Sequence, residues 1–250
     1  MMKTLMTIAA AMSMAGCGGG GSNTGSDDLP RAPGQIQALN AWKSVLSADR
    51  TFVTVGTGSD GAAYEITTTI RPKGQAQLGL EPPSPLVNYS TVEVGSSVRR
   101  NNVAYSSSSL LFYLVPSTSV LGAMLEPSGT SSGPSCIFPE SPAHTSAVPA
   151  IANLGATARI FAADSFNFNT GNNRCITSSA VFGAPAHSVA WSYEEEKGRP
   201  LFCINHTARY PGQVLREQNS CFEVINGASV GGVARVTLST GALSLVARNF

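Results

Sequence analysis

Gly227-Ala228-Ser229-Val230-Gly231 has the Gly-x-Ser-x-Gly form of a nucleophile elbow. In such an elbow a strand turns sharply into a helix, exposing the serine beside an oxyanion hole. The flanking residues argue against that chemistry. Cys221 to Ile225 enters as a strand, but Val233 to Leu238 leaves as another strand rather than a helix. The arrangement also requires an acid and a histidine later in the chain, and no Asp, Glu or His occurs between residues 230 and 250. The pattern is a glycine-rich hairpin loop, and no catalytic residue is assigned.

The chain has only three histidines, His144, His187 and His206. None has the paired spacing that places two imidazoles on one metal, so no metal or other cofactor is expected. His206 shares its strand parity with Phe202 and Ile204, the position of a histidine at the edge of a core. Glu194-Glu195-Glu196, followed by Lys197-Gly198, has the look of a solvated turn. Pairing it with Glu223 or Asp164 would give the two carboxylates of a glycosidase, but nothing in the spacing singles those residues out.

Charge narrows the partners. The chain carries 16 Lys and Arg against 15 Asp and Glu, and charged residues make up 12% of it, against about a quarter in an ordinary soluble protein. The longest basic run is Arg99-Arg100, with no interleaved aromatics, which excludes nucleic acid as a partner.

The first residues have the three parts of a secretory signal: a cationic start at Lys3, an uncharged apolar stretch from Thr4 to Met14, and a small-residue exit at Ala15-Gly16. That stretch falls short of the roughly 20 residues a membrane-spanning helix needs. Met14-Ala15-Gly16-Cys17 resembles the lipobox of bacterial lipoproteins, with Met14 in place of the commoner leucine. The resemblance covers residues 1 to about 22. It implies cleavage before Cys17 and a diacylglycerol on its sulfur, anchoring the chain to the membrane of the cell envelope. Gly18 after the cysteine resembles the pattern of lipoproteins destined for the outer membrane. Residues 18–34 (GGGGSNTGSDDLPRAPG) hold almost no apolar side chain. They form a tether spanning about 23 Å as a coil. The expected organisation is thus a leader over 1–16, a lipidated glycine-rich tether over 17–34, and a folded domain over 35–250.

With Cys17 set aside, Cys136, Cys175, Cys203 and Cys221 remain. An even number in an exported chain implies two disulfides, with three pairings open. Cys203 and Cys221 are mirrored about Pro211-Gly212, the strongest turn signal nearby, so a hairpin folded there sets them opposite each other. Cys136–Cys175 follows by elimination. A thiolate metal site lacks its usual close Cys-x-x-Cys spacing.

These residues need elements to position them. Ile36, Leu39, Trp42, Val45 and Leu46 form one helical stripe. Beyond it the period switches to two: Tyr64, Ile66, Thr68 and Ile70 alternate with polar residues, as do Val189, Trp191 and Tyr193, and Ala234, Val236 and Leu238. Strict alternation indicates antiparallel strands with one buried face. Gly58-Ser59-Asp60-Gly61 and Ser239-Thr240-Gly241 mark hairpins. Further strands are expected near 89–95, 102–115, 156–163, 175–182 and 200–207. Residues 127–154, dense in Pro, Ser and Gly, form a long loop or a junction between two sub-sheets. The expected fold is mainly β, an antiparallel sheet or β-sandwich-like domain with one short N-terminal helix. The expected function is that of a membrane-anchored, non-catalytic binding module whose β surface meets a protein, glycan or lipid. The alternative is a periplasmic hydrolase with an unrecognised site.

Overall fold

The computed structural model describes residues 34–130, 133–139, 141, 144–180, 185–211 and 213–249. Residues 1–33, and with them the expected leader, Cys17 and nearly all of the tether, lie outside that set, as do Gly212 and Glu140. The chain begins with β1 (Gln35–Ile36) and helix α1 (Ala38–Leu46), followed by β2 (Arg50–Gly58), β3 (Ala63–Leu80), β4 (Val87–Arg100), β5 (Val103–Leu114), β6 (Leu121–Thr130) and β7 (Gly133–Phe138). Then come β8 (Ala152–Asn153), β9 (Thr157–Asn169), β10 (Arg174–Ala180), β11 (Ala186–Glu196), β12 (Arg199–Tyr210), β13 (Gln213–Ile225), β14 (Ser229–Thr240) and β15 (Ser244–Arg248).

Twelve of these strands close into a barrel. Around the wall the order is β3, β2, β15, β14, β13, β12, β11, β9, β7, β6, β5 and β4, and β4 returns to pair with β3. Every one of these pairings is antiparallel. The mainly β, antiparallel expectation holds. The architecture is a closed barrel rather than a sandwich, and the strands on either side of 127–154 belong to one sheet. Residues 127–154 themselves contain the end of β6 and all of β7. Closure leaves the long strands without free edges, the exposure that open sheets must otherwise cover.

Alternation sets which side chains face inward. Tyr64, Ile66, Thr68 and Ile70 are buried, and so are Val189, Trp191 and Tyr193. The third alternating run is corrected by a bulge: Cys221 pairs with Arg235 but Phe222 with Val233. Val233, Val236 and Leu238 therefore join the main core, while Ala234 joins Leu201, Cys203 and Cys221 on the outer face. A bulge's extra residue shifts every later side chain to the other side. Many outward positions are polar, for example Glu65, Thr67 and Thr69 on β3 and Glu217 and Asn219 on β13, though Val53 and Val55 on β2 are exposed too. A membrane-spanning barrel shows the reverse, an apolar band outside. Among the described residues no helix is long and apolar enough to cross a membrane.

A second bulge divides β3. The register with β4 shifts between Pro72 and Gly74, whose φ is +87°. Beyond it the buried positions pass to the opposite face of the sheet. Gln75 and Gln77 become exposed, while Leu78 packs with Tyr89, Tyr113, Ala123, Cys136 and Cys175 in a separate core. Strand β10 covers this core by pairing antiparallel with β9 and parallel with the end of β3. It thus closes a smaller ring of β3, β4, β5, β6, β7, β9 and β10 against the main barrel. The Cys136–Cys175 disulfide, with Cα atoms 5.6 Å apart, ties β7 to β10 inside that ring. Cys203–Cys221 joins directly paired residues of β12 and β13, with Cα atoms 4.0 Å apart, on the outer wall. Both expected pairings are present.

Helix α1 lies across one end of the barrel interior. Its Ala38, Ala41, Trp42, Val45 and Leu46 are buried, and Ile36, the first residue of the predicted stripe, is buried on β1. The helix packs against β14, β3 and β12, which are spread around the wall. Trp42 Nε1 donates to Ser119 O at 2.9 Å in the β5–β6 turn. The Arg50 guanidinium donates to Ser44 O at 2.9 Å and to Val230 O and Gly231 O at 3.0 Å. The helix thereby seals the end of the barrel that carries the 115–120 and 226–228 turns.

Candidate functional site

Within the barrel is a cavity of about 490 Å³, inside the 300–1,000 Å³ range of small-molecule sites. Its lining is layered along the barrel axis. Toward the helix end the inward residues are apolar, and one step toward the opposite end they become polar. Thr68 stands above Ile70 on β3, Ser96 above Val94 on β4, and Ser108 above Leu110 and Phe112 on β5. His206 stands above Ile204 on β12, Ser220, Gln218 and Arg216 above Phe222 on β13, and Thr240 above Leu238 on β14. Val45 and Leu46 of α1 complete the apolar floor. The layering gives a polar belt around an apolar well.

Two histidines anchor the belt. His187 on β11 and His206 on β12 stack with centroids 5.2 Å apart and an interplanar angle of 19°. His187 Nδ1 lies 3.0 Å from His206 Nε2, so one ring donates a proton and the other accepts it, and the two cannot both be charged without losing the contact. Burial pushes His187 down to about 4. Burial pushes His206 down to about 3, aided by the nearby His187 and by the Arg216 charge. Both rings are neutral at pH 7. Glu126 on β6 also lines the cavity; burial raises its carboxyl, and the Arg216 charge partly offsets that. Burial lowers the Arg216 guanidinium while Glu126 pulls it back, and an arginine remains charged throughout. Arg216 Nη2 donates to Gln218 Oε1 at 2.6 Å.

Several polar atoms of the belt lack partners. The buried side-chain atoms without a hydrogen bond among the described residues include Thr68 Oγ1, Ser96 Oγ, His187 Nε2 and Arg216 Nε. Native proteins satisfy nearly all such atoms, so each exception needs a reason. Here all four belong to residues that line one cavity. Thr68 and Ser96 are paired neighbours on β3 and β4, and Ser96 pairs in turn with Ser108 on β5, so the orphaned hydroxyls continue into a hydroxyl ladder.

The remaining residues considered from sequence fall elsewhere. Ser229 opens β14 directly after the Asn226–Gly227 turn, where both φ angles are positive, +51° and +67°. Its Oγ donates to Ile225 O at 3.3 Å, and strand rather than helix follows it, as expected. Glu194 and Glu196 are not a free solvated turn: Arg235 bridges to both, at 2.5 and 3.0 Å, and Arg248 reaches Glu196 at 2.8 Å. Lys197 and Gly198 alone make the tight reversal there, with φ of +53° and +75°. Glu223 pairs with Arg199 on the outer wall. Glu194, Cys203 and Cys221 converge as a metal site would, but both sulfurs are committed to the disulfide, which leaves no thiolate to ligate. His144 and Asp164 share an outer groove with Arg159, Ser188 and Arg209. Among the described residues no side-chain hydrogen bond joins that histidine, acid and serine.

Sequence reading placed His206 beside Phe202 and Ile204 but missed its contact with His187, and it passed over Arg216, Gln218 and Glu126. A signal was present. In Arg216-Glu217-Gln218-Asn219-Ser220 the parity set by inward Phe222 turns Arg216, Gln218 and Ser220 toward the core, an expensive place for such groups unless they have a use. Comparison with family models, curated protein sequences and solved structures finds nothing that the chain matches.

Proposed function

We propose that this chain is a lipid-anchored protein of the bacterial envelope that holds a small amphipathic molecule in the lumen of its barrel. The observation that carries the reading is the polar belt above an apolar well, repeated strand by strand around a single cavity. An apolar body gains about 25 cal/mol for each Å² it buries in the well, and a polar head meets the unpartnered groups of the belt. The polar outer wall suits a domain that hangs in water from its tether, and the lipobox-like residues around Cys17 support the anchor. The ligand-binding surface is thus the inside of the sheet rather than its outside.

Titration with a fluorescent single-chain probe tests the lumen. Saturable one-site uptake is expected, abolished by Ser108→Trp, whose indole fills the belt. Absence of uptake, or uptake indifferent to that substitution in a folded variant, refutes the proposal. Palmitate labelling that persists in Cys17→Ala refutes the anchor. A second reading, a hydrolase, draws on the groove holding His144, Asp164 and Ser188. It requires Ser188 to react with a fluorophosphonate, and an unlabelled serine removes it.

A further inference from the structure

The belt carries two formal charges, and they stand on opposite sides of the barrel. In the wall order β13 and β6 are separated by β12, β11, β9 and β7 on one side, and by β14, β15, β2, β3, β4 and β5 on the other. Arg216 and Glu126 therefore enter the lumen from well-separated strands, yet near enough for each to feel the other's charge. Both line the same cavity, and neither makes an ion pair among the described residues. The other titratable groups of the belt, His187 and His206, are held neutral by burial. No third charge lines this cavity. Desolvating two opposite charges without letting them touch costs several kcal/mol per ion, and complementary charges on a bound molecule would recover that cost. An anionic head satisfies Arg216 and leaves Glu126 repelled. A cationic head does the reverse, and an uncharged one leaves each with only the other's charge, at no ion-pair distance.

We infer that the lumen selects a single-chain amphipath with a zwitterionic head, its anionic oxygens set against Arg216 and its cationic group against Glu126. The orphaned Nε2 of His187 and hydroxyls of Thr68 and Ser96 supply hydrogen bonds to the head between the two charges, and the chain descends into the well floored by Val45, Leu46 and Phe222. This inference rests on the lumenal-binding reading above and adds the class of head group to it.

Calorimetric titration of the full chain carrying Cys17→Ser, which removes the anchor and the need for detergent, separates the two. Four ten-carbon ligands are compared below their micelle-forming concentrations: decylphosphocholine, decanoate, decyltrimethylammonium and decanol. Decylphosphocholine is expected to bind about tenfold or more tighter than the others, equivalent to about 1.4 kcal/mol. Arg216→Met and Glu126→Gln should each bring it to the level of decanol, and Glu126→Gln should strengthen decanoate. Decanoate or decyltrimethylammonium binding as tightly as the zwitterion overturns the head-group inference and leaves the lumenal reading intact, and so does decanol binding equally well. Failure of all four to bind overturns both. If either charge variant does not fold, the ranking of the four ligands in the parent chain still decides.

Discussion

Acidification from pH 7.5 to 5 should destabilise this protein chiefly through its two inward histidines, against a smaller opposing gain from Glu126, whose carboxyl is raised by burial. In the unfolded chain each imidazole has the ordinary pKa of 6.5; in the barrel His187 titrates at about 4 and His206 at about 3. Between 6.5 and those values the unfolded chain binds protons that the folded chain refuses, so stability is full above pH 6.5 and is lost as the pH falls below it. At pH 5 the imbalance amounts to about 2 kcal/mol for each ring, or about 4 kcal/mol for the pair, a large share of the roughly 5–15 kcal/mol of a typical domain. Glu194, held below the usual carboxylate range against its burial by the Ser192 hydroxyl and Arg235, and Glu196, held there against its burial by Arg248 and Arg235, lose their contribution only at lower pH. Urea unfolding with disulfides intact, repeated at pH 7.5, 6.5, 5.5 and 5.0, measures the slope. His187→Gln/His206→Gln keeps polar side chains at both positions and removes their titration, so its stability should no longer fall across this window. A double variant as acid-sensitive as the parent, or a parent with no loss by pH 5, refutes the neutral stacked pair.

Five other changes probe the frame. Breaking Cys203–Cys221, which closes a separation of 18 residues, should cost about 3 kcal/mol, and breaking Cys136–Cys175, with a separation of 39, about 4 kcal/mol on the chain-entropy model; urea midpoints unchanged from the parent would contradict both. Trp42→Ala removes the largest side chain of the helix from a fully buried site and should cost about 3–5 kcal/mol; a loss below about 1 kcal/mol means that α1 does not seal the barrel. A Cβ at Gly74 meets no atom within 4 Å, but Gly74→Val forces a β-branched residue to φ +87°, so thermal unfolding should show a cost of about 1–3 kcal/mol from backbone strain. Ser229→Ala should stay within about 0.5 kcal/mol of the parent in the same assay, since its hydroxyl serves only the local turn.

The strands were legible because alternation is local, and so was the Cys203–Cys221 pairing, which needs only a hairpin centred on Pro211-Gly212. Closure was not. Tyr64, Ile66 and Ile70 bury one face equally well in a sandwich, a curved sheet or a barrel, and the choice is made by pairings such as β3 with β4 and β2 with β15, the latter linking residues nearly 200 apart in sequence. Bulges were hidden for a related reason. Apolar residues at Ile70 and Leu78 keep the same parity, but the shift at Gly74 sends them to opposite faces. The cavity was out of reach because its chemistry is assembled from β3, β4, β5, β6, β11, β12, β13 and β14. No segment holds more than a fraction of it, and the polar inward residues of β13 were the one local trace.

The belt also bears on why the fold carries an internal weakness. A core filled with leucine at the positions of His187, His206, Arg216 and Glu126 would remove orphaned polar atoms and unpaired charges, and replacing buried ionic groups by packed apolar ones is often neutral or stabilising. Two disulfides, a sealing tryptophan and a closed wall offset groups that work against folding. Natural chains depart from local consistency chiefly at sites of function. Here four of the seven orphaned buried atoms among the described residues, and both unpaired charges, belong to residues lining one cavity, above an apolar well. A barrel maintained only as a scaffold has no physical reason to keep a neutral histidine pair, an arginine and a glutamate in its interior; a barrel that must recognise the head of a bound molecule does.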